Sequence, residues 1–105
     1  MLEIKKNLSK CTGFNKVRNS LPINLNESLD HLQKKLEVAY SLVGAGNQVL
    51  CEAKFLTGGR CDVYDLTNDI AYEILKSEKE ANIEKKRAKY PVREIRTIKV
   101  ELWKT

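Results

Sequence analysis

The sequence lacks the features of a membrane, secreted or zinc-stabilised protein. No apolar run approaches the roughly 20 residues that span a bilayer, and the first residues, MLEIKKNLSKC, lack the apolar core of a signal peptide. We therefore expect a cytoplasmic protein with no membrane partner. The three cysteines, Cys11, Cys51 and Cys61, form no CxxC or Cys/His pattern, so we interpret them as buried thiols and expect neither a zinc site nor a disulfide framework.

Charged residues are plentiful and unevenly distributed. The chain has 105 residues, of which 42% are hydrophobic and 31% charged, as in an ordinary single globular domain. Residues 1–25 carry five Lys/Arg and one Glu (+4), residues 26–75 four Lys/Arg and eight Asp/Glu (−4), and residues 76–105 ten Lys/Arg and five Glu (+5). An acidic centre between basic ends fits a cation site beside a phosphate-binding surface, although ordinary solvated faces give the same composition.

The chain divides into a basic N-terminal arm, residues 1–25, and a domain of residues 26–105. The arm has weak periodicity, whereas the domain opens with apolar residues at helical spacing from Leu29 to Val43. Ser28 can cap the first turn of this helix and Gly44 can end it. The spacing therefore predicts one amphipathic helix at the start of the domain.

Three strands and a second helix are predicted after it. The strands lie within residues 47–56, 60–66 and 70–76, and the turns TGG and TND join them as an antiparallel meander. Ser77 and Glu80 form a capping box for a charged helix that ends before Pro91, and residues 93–103 supply a last strand. The predicted order is α-β-β-β-α-β.

Two acids interrupt strands that otherwise have buried character. Asp62 lies early in the second predicted strand and Glu73 late in the third, so antiparallel pairing brings them within a few residues of each other. Alternation puts Asp62 on the face of Tyr64 and Glu73 on the face of Ala71, and a register shift or a bulge decides whether the two acids share a face. If they do, they would repel unless a cation lies between them. Mg²⁺ or Mn²⁺ would suit them and could activate water against a phosphodiester. Alternatively, Asp62 merely begins a strand and Glu73 faces solvent.

The order of elements, with Asp at the start of the second strand and Glu in the third, resembles the core of the PD-(D/E)XK nuclease superfamily. This superfamily includes many restriction enzymes and Holliday junction resolvases. The resemblance covers residues 27–102 and is most specific in GGRCDVYDLTNDIAYEILKSE, residues 58–78. It implies a small α/β domain with a restriction-endonuclease-like core, in which a mixed central sheet is flanked by helices.

The resemblance also implies an activity and its site. It implies a nuclease that hydrolyses DNA phosphodiester bonds with Mg²⁺ or Mn²⁺, with RNA left open as a substrate. Structure-selective cleavage is expected because so small a core has little room to read bases, and a homodimer would supply a second site for two-stranded cutting. Asp62 matches the first metal ligand and Glu73 the second, the carbonyl of Ile74 is a further ligand, and Glu37 matches the assisting glutamate of the first helix.

The sequence departs from the family pattern at its lysine. Leu75 stands where the family has that residue, so Lys76 or Lys79 would have to orient the water. The expected phosphate contacts come from Arg60 and from the region of the second helix, namely Lys85, Lys86, Arg87 and Tyr90. A solvated helix of Glu and Lys pairs is the alternative interpretation of that region.

Other interpretations of the same residues stay open. Glu52-Ala53-Lys54 satisfies Glu-x-Lys literally but follows no strand that carries an Asp, so it ranks second. His31 falls away from the apolar positions of the first helix and is expected to be exposed. Two alternative functions are a non-catalytic nucleic-acid-binding module on a nuclease-like fold and a small protein-interaction domain.

Overall fold

Four strands and two helices form the part of the chain that the structure describes. The computed structural model describes residues 2–12, 18–23, 26–75 and 89–100. Helix α1 spans Leu2–Leu8 and helix α2 spans Leu29–Gly44; the strands are β1 Val49–Lys54, β2 Arg60–Asp65, β3 Ile70–Leu75 and β4 Glu94–Lys99. The first helix of the predicted domain and its four strands are confirmed, and the architecture is a small α+β domain. The second predicted helix lies almost entirely outside the described residues.

The strands form one mixed sheet in the order β1-β2-β3-β4. Strands β1 and β2 pair antiparallel, as do β2 and β3, which confirms the predicted meander. Strand β4 pairs parallel to β3 through six residue pairs from Ile70–Glu94 to Leu75–Lys99. Because parallel neighbours begin at the same end of a sheet, the end of β3 and the start of β4 lie at opposite ends of the sheet.

Each face of the sheet has its own apolar core. On one face, Ile4 and Leu8 of α1 pack against a buried cluster that includes Leu50, Tyr64 and Tyr90. The other face packs against α2 through Val38, Ala39, Val49, Cys51, Val63, Ile70 and Tyr72. The first face therefore includes part of the predicted N-terminal arm, since residues 2–12 lie on the same sheet as the domain. Neither described helix has the length and apolarity needed to cross a bilayer.

The turn between β2 and β3 sets the register of these two strands. Asp65 is buried, and its Oδ1 accepts hydrogen bonds from the backbone N–H groups of Thr67 and Asn68 at 3.0 and 3.1 Å. Side-chain bonding to the backbone two and three residues ahead is the usual way in which Asp stabilises a turn. The resulting pairs run from Asp65–Ile70 to Val63–Tyr72, so Asp62 and Glu73 come next along the two strands.

Helix α2 turns an unexpected side towards the sheet. Ser28 caps it as predicted, because its hydroxyl accepts a hydrogen bond from the His31 N–H. The buried residues of the helix are Lys35, Val38 and Ala39. The apolar positions from which the helix was predicted are mostly exposed, as described below, so the periodicity identified the helix but not the side that it buries.

Candidate functional site

The regular alternation of side chains breaks on β1 and β2 at facing positions. Residues two apart on a regular strand lie on the same face, but Cys51 packs on the α2 side of the sheet and Ala53 on the α1 side. Their partners on β2 follow them, since Val63 packs on the α2 side and Cys61 on the α1 side. Glu52, between Cys51 and Ala53, has a left-handed backbone with φ of 57°. Such a break is typical of bulge-like irregularities, which redirect a side chain.

The break turns the carboxylate of Asp62 towards helix α2. Its Oδ2 accepts a hydrogen bond from the Ile74 N–H at 2.7 Å and lies 3.6 Å from His31 Nε2. Asp62 thus bonds to the backbone of β3 directly after the last β2–β3 residue pair. Unbroken alternation from Tyr64 would instead have placed Asp62 on the α1 side.

Glu73 points to the α1 side and is buried there, at 3% exposure. Its Oε1 lies 2.7 Å from the Tyr90 hydroxyl, which also lies 2.6 Å from the carbonyl oxygen of Arg60. Gly59 leaves room for the Tyr90 ring, since a Cβ at Gly59 would come within 2.7 Å of it. Asp62 and Glu73 are therefore neighbours along the strands, but their carboxylates leave opposite faces of the sheet.

Six charged or titratable side chains gather on the α2 side, and we call them the α2 cluster: Glu27, His31, Lys35, Glu52, Arg60 and Asp62. At its centre the Lys35 ammonium, with a fully buried side chain, lies 2.7 Å from both Glu27 Oε1 and Glu52 Oε1. Arg60 lies 3.3 Å from the second oxygen of Glu52. The cluster thus combines three acids with one buried and one exposed cation.

His31 joins two of these acids. Its Nδ1 forms a short contact with Glu27 Oε1, and its Nε2 faces Asp62. The expectation of an exposed histidine was wrong, because its side chain is only 21% exposed. His31 and Lys35 lie four residues apart on one side of α2, and Glu27, four residues before His31 and just outside the helix, continues the same spacing. This spacing of polar residues could have indicated which side of the helix faces the sheet, but the apolar periodicity pointed to a different side.

Burial and charge act against each other on the ionisable groups of the cluster. Burial favours the neutral form of Glu27, but hydrogen bonds with Lys35 and His31 outweigh it and hold the pKa below 4.5. Burial likewise disfavours the charged Lys35, but Glu27 and Glu52 outweigh it and raise the pKa of the ammonium. For Asp62 burial prevails over the Ile74 N–H and the nearby cations, so its pKa is raised.

One atom of the cluster has an unmet hydrogen-bonding capacity. Glu27 Oε2 is buried and has no hydrogen-bond partner in the described part of the chain. Buried carboxylate oxygens without a donor or a cation are unfavourable and uncommon. Within the described ranges no group of three or more His, Cys, Asp or Glu is arranged to hold a metal ion. A divalent ion there would depend on two carboxylates, with water or substrate oxygens as its other ligands.

The remaining predicted site residues lie elsewhere. Glu37 is exposed and pairs with Lys34 at 3.0 Å on the solvent side of α2, so it does not approach Asp62. Tyr90 is buried against Glu73 and Arg60, so its hydroxyl does not face solvent as a phosphate contact would require. Arg60 keeps an exposed guanidinium. Five predicted basic residues fall outside the described residues: Lys76, Lys79, Lys85, Lys86 and Arg87.

Comparisons of this chain with models of protein families, with characterised proteins and with solved structures found no match.

Replacing Lys35 by Met should lower the free energy of unfolding by about 3 kcal/mol or more, because it removes the buried cation that Glu27 and Glu52, both largely shielded from solvent, share. Urea denaturation at neutral pH measures the change. Lys34→Met is the matched control, since Lys34 forms only an exposed pair and its loss should cost about 0.5 kcal/mol or less. Equal losses in the two variants would show that the buried pairs contribute no more than a surface ion pair.

Replacing Asp62 by Asn should increase stability at pH 7. The pKa of Asp62 is raised above 3.8 by folding, so its stabilising contribution is complete below about pH 3.8 and is lost as the pH rises through the folded value. The advantage of the Asn variant should therefore shrink as the pH falls through the folded pKa and disappear near pH 3.8, as followed by thermal unfolding at several pH values. Asp30→Asn, a substitution in the first turn of α2, should show no such gain. A less stable Asn variant at pH 7 would contradict the interpretation.

Proposed function

We propose that this protein is a metal-dependent nuclease that hydrolyses DNA phosphodiester bonds at the α2 cluster. The observation that carries the proposal is the position of Asp62. Its carboxylate lies where the β2–β3 pairing ends, beside a histidine and a buried lysine that already binds two further acids. Acids, a histidine and a lysine gathered at one place are the groups that phosphodiester hydrolysis uses to bind a cation and move protons.

The strand arrangement supports the same proposal. An amphipathic helix is followed by three antiparallel strands and then by a fourth strand parallel to the third. This is the arrangement expected for a restriction-endonuclease-like core. Asp62 lies on the second strand and Glu73 on the third, as the resemblance implies, although their carboxylates leave opposite faces of the sheet. Fold alone does not establish activity, so the proposal depends on the cluster.

Two acids of the cluster are the candidates for binding a divalent ion. Glu27 Oε2 lacks a partner among the described residues, and burial raises the pKa of Asp62, so both carboxylates would gain from a nearby cation. We assign Asp62 as the first ligand of Mg²⁺ or Mn²⁺ and Glu27 as the second. The bound ion would supply an activated water and neutralise charge on the phosphate oxygens. Glu73, the second ligand predicted from the sequence, would reach the ion only by leaving Tyr90.

The other members of the cluster would position these acids and move protons. Lys35 holds Glu27 and Glu52 in place through its two contacts of 2.7 Å. His31, with Nε2 3.6 Å from Asp62, is placed to transfer a proton at the ion-binding acids. Lys35 would also take the role of the lysine in the family pattern, where this sequence has Leu75, since its ammonium lies within the same cluster.

A basic surface at the β1–β2 hairpin, which shares Arg60 with the cluster, supports binding of a phosphate backbone. Lys54 and Arg60 are paired residues of β1 and β2, and both are exposed. Together with Thr12, Phe55 and Gly59 they line an open cleft of about 510 Å³. Two adjacent cations beside a carboxylate cluster would hold a nucleic-acid strand near the proposed ion, and a net charge of +5 favours its approach.

A non-catalytic nucleic-acid-binding module is the second candidate function. It is favoured by the separation of Asp62 and Glu73 onto opposite faces and by Leu75 in place of the family lysine. This candidate keeps the basic surface and requires no ion. It predicts salt-dependent binding of DNA without cleavage.

Incubation with Mg²⁺ or Mn²⁺ and linear, branched or single-stranded DNA should yield cleaved products. Asp62→Asn should reduce the rate about 100-fold or more, because loss of an ion ligand removes several kcal/mol of charge stabilisation, at about tenfold per 1.4 kcal/mol. Binding measured without the ion should change little. Gel electrophoresis and fluorescence anisotropy supply the two readouts.

Three further variants complete the experiment. Asp30→Asn removes the same charge outside the cluster and should cleave normally. Glu27→Gln and Glu73→Gln identify the second ligand, since the one that holds the ion should match Asp62→Asn in lost activity. Binding without cleavage by the unaltered protein, with either ion and all three substrates, would favour the second candidate and reject the nuclease.

A further inference from the structure

Helix α2 exposes a continuous apolar side, which we call the α2 stripe: Leu29, Leu32, Leu36, Tyr40 and Val43. Leu29 is 67% exposed, Leu36 50%, Tyr40 77% and Val43 41%, and Leu32 is half-buried. These residues do not form the core contacts of the helix, which come from Lys35, Val38, Ala39 and Leu42. Contiguous large apolar side chains on a protein surface commonly mark an interaction site.

The stripe has the spacing of a helix that packs against another helix. Leu29, Leu36 and Val43 are seven residues apart, and Leu32 and Tyr40 lie between them. Apolar residues that repeat in this way form the contact line of paired helices. The occupant that fits the stripe best is therefore an amphipathic helix.

The stripe is symmetric about Leu36. Its successive spacings are three, four, four and three residues, so the pattern is the same in both directions along the helix. A two-fold axis through Leu36 that makes two copies of α2 antiparallel would place Leu29 against Val43 of the partner subunit, and Leu36 against its own equivalent. A two-fold interface requires this kind of self-complementarity.

Charge around the stripe permits the same contact. On the solvent side the stripe is bordered by Gln33 and Glu37, and Glu37 forms an ion pair with Lys34 at 3.0 Å. Two copies would therefore meet along a polar border whose glutamate is neutralised within each chain. The basic residues that would attract nucleic acid, Lys54 and Arg60, belong to the strands and not to this surface.

We propose that the α2 stripe is a homodimer interface in which two copies of helix α2 pack antiparallel about a two-fold axis at Leu36. Stable interfaces usually bury about 1,200–2,000 Å² in total, and one side of a single helix supplies less. The dimer should accordingly form at micromolar concentrations. The proposal does not depend on the nuclease activity, because the stripe and the α2 cluster lie on different sides of the helix.

Sedimentation equilibrium of the full chain without DNA should show a reversible monomer–dimer equilibrium. Leu36→Glu should weaken association at least tenfold, because it places two carboxylates at the axis. Leu56→Glu is the matched control, since Leu56 is 67% exposed in the loop between β1 and β2 and should leave association unchanged. Circular dichroism checks that both variants stay folded. A monomer at all concentrations up to the millimolar range would overturn the proposal.

Disulfide trapping tests the arrangement of the two copies. The native cysteines are all buried, so introduced thiols should dominate the cross-links. Leu36→Cys should cross-link to itself on mild oxidation, and an equimolar mixture of Leu29→Cys and Val43→Cys chains should cross-link better than either chain alone. Self-linking of Leu29→Cys and of Val43→Cys without that preference would indicate parallel helices and overturn the proposal, as would equal cross-linking of a Leu56→Cys control.

Discussion

A buried ammonium group fixes helix α2 to the sheet. Lys35 inserts between Glu27, just before the helix, and Glu52 in the middle of β1, and its side chain has no exposure to solvent. Removing charges from water is unfavourable unless they compensate one another, and two contacts of 2.7 Å provide that compensation here. The position of Glu27 places His31, and His31 faces Asp62. The geometry around Asp62 therefore depends on a lysine that does not contact it.

The same contact explains why α2 exposes its apolar residues. A helix that directs a lysine and a histidine to the sheet has rotated its leucines away from it. Val38, Ala39 and Leu42 supply the remaining packing, while Leu29, Leu36 and Tyr40 stay outside. The polar cluster on one side of the helix and the apolar stripe on another are thus two results of a single rotation of α2. An ordinary amphipathic helix would show neither.

Much of the fold follows from local signals, and part of the site does not. Glycine and Asp/Asn turns, β-branched strands and the Ser28 cap predicted helix α2 and the four strands correctly, and the antiparallel turn placed Asp62 next to Glu73 along the strands. The faces of these acids were not predictable, because nothing in Cys51-Glu52-Ala53 distinguishes a regular strand from one with a left-handed residue. The orientation of α2 was missed for a different reason. Apolar periodicity identifies a helix, but a buried ion pair can select another side of it for the core.

The backbone of Glu52 shows what this arrangement demands of the chain. A left-handed conformation costs a residue with a side chain about 1–2 kcal/mol and costs glycine almost nothing. Glutamate, however, brings to this point the carboxylate that Lys35 and Arg60 share, which glycine cannot supply. The backbone strain and the electrostatic stabilisation therefore belong to the same residue. A glycine at position 52 would relieve the backbone strain but would remove the carboxylate. The sequence has glutamate there, so it retains the charge and accepts the strain.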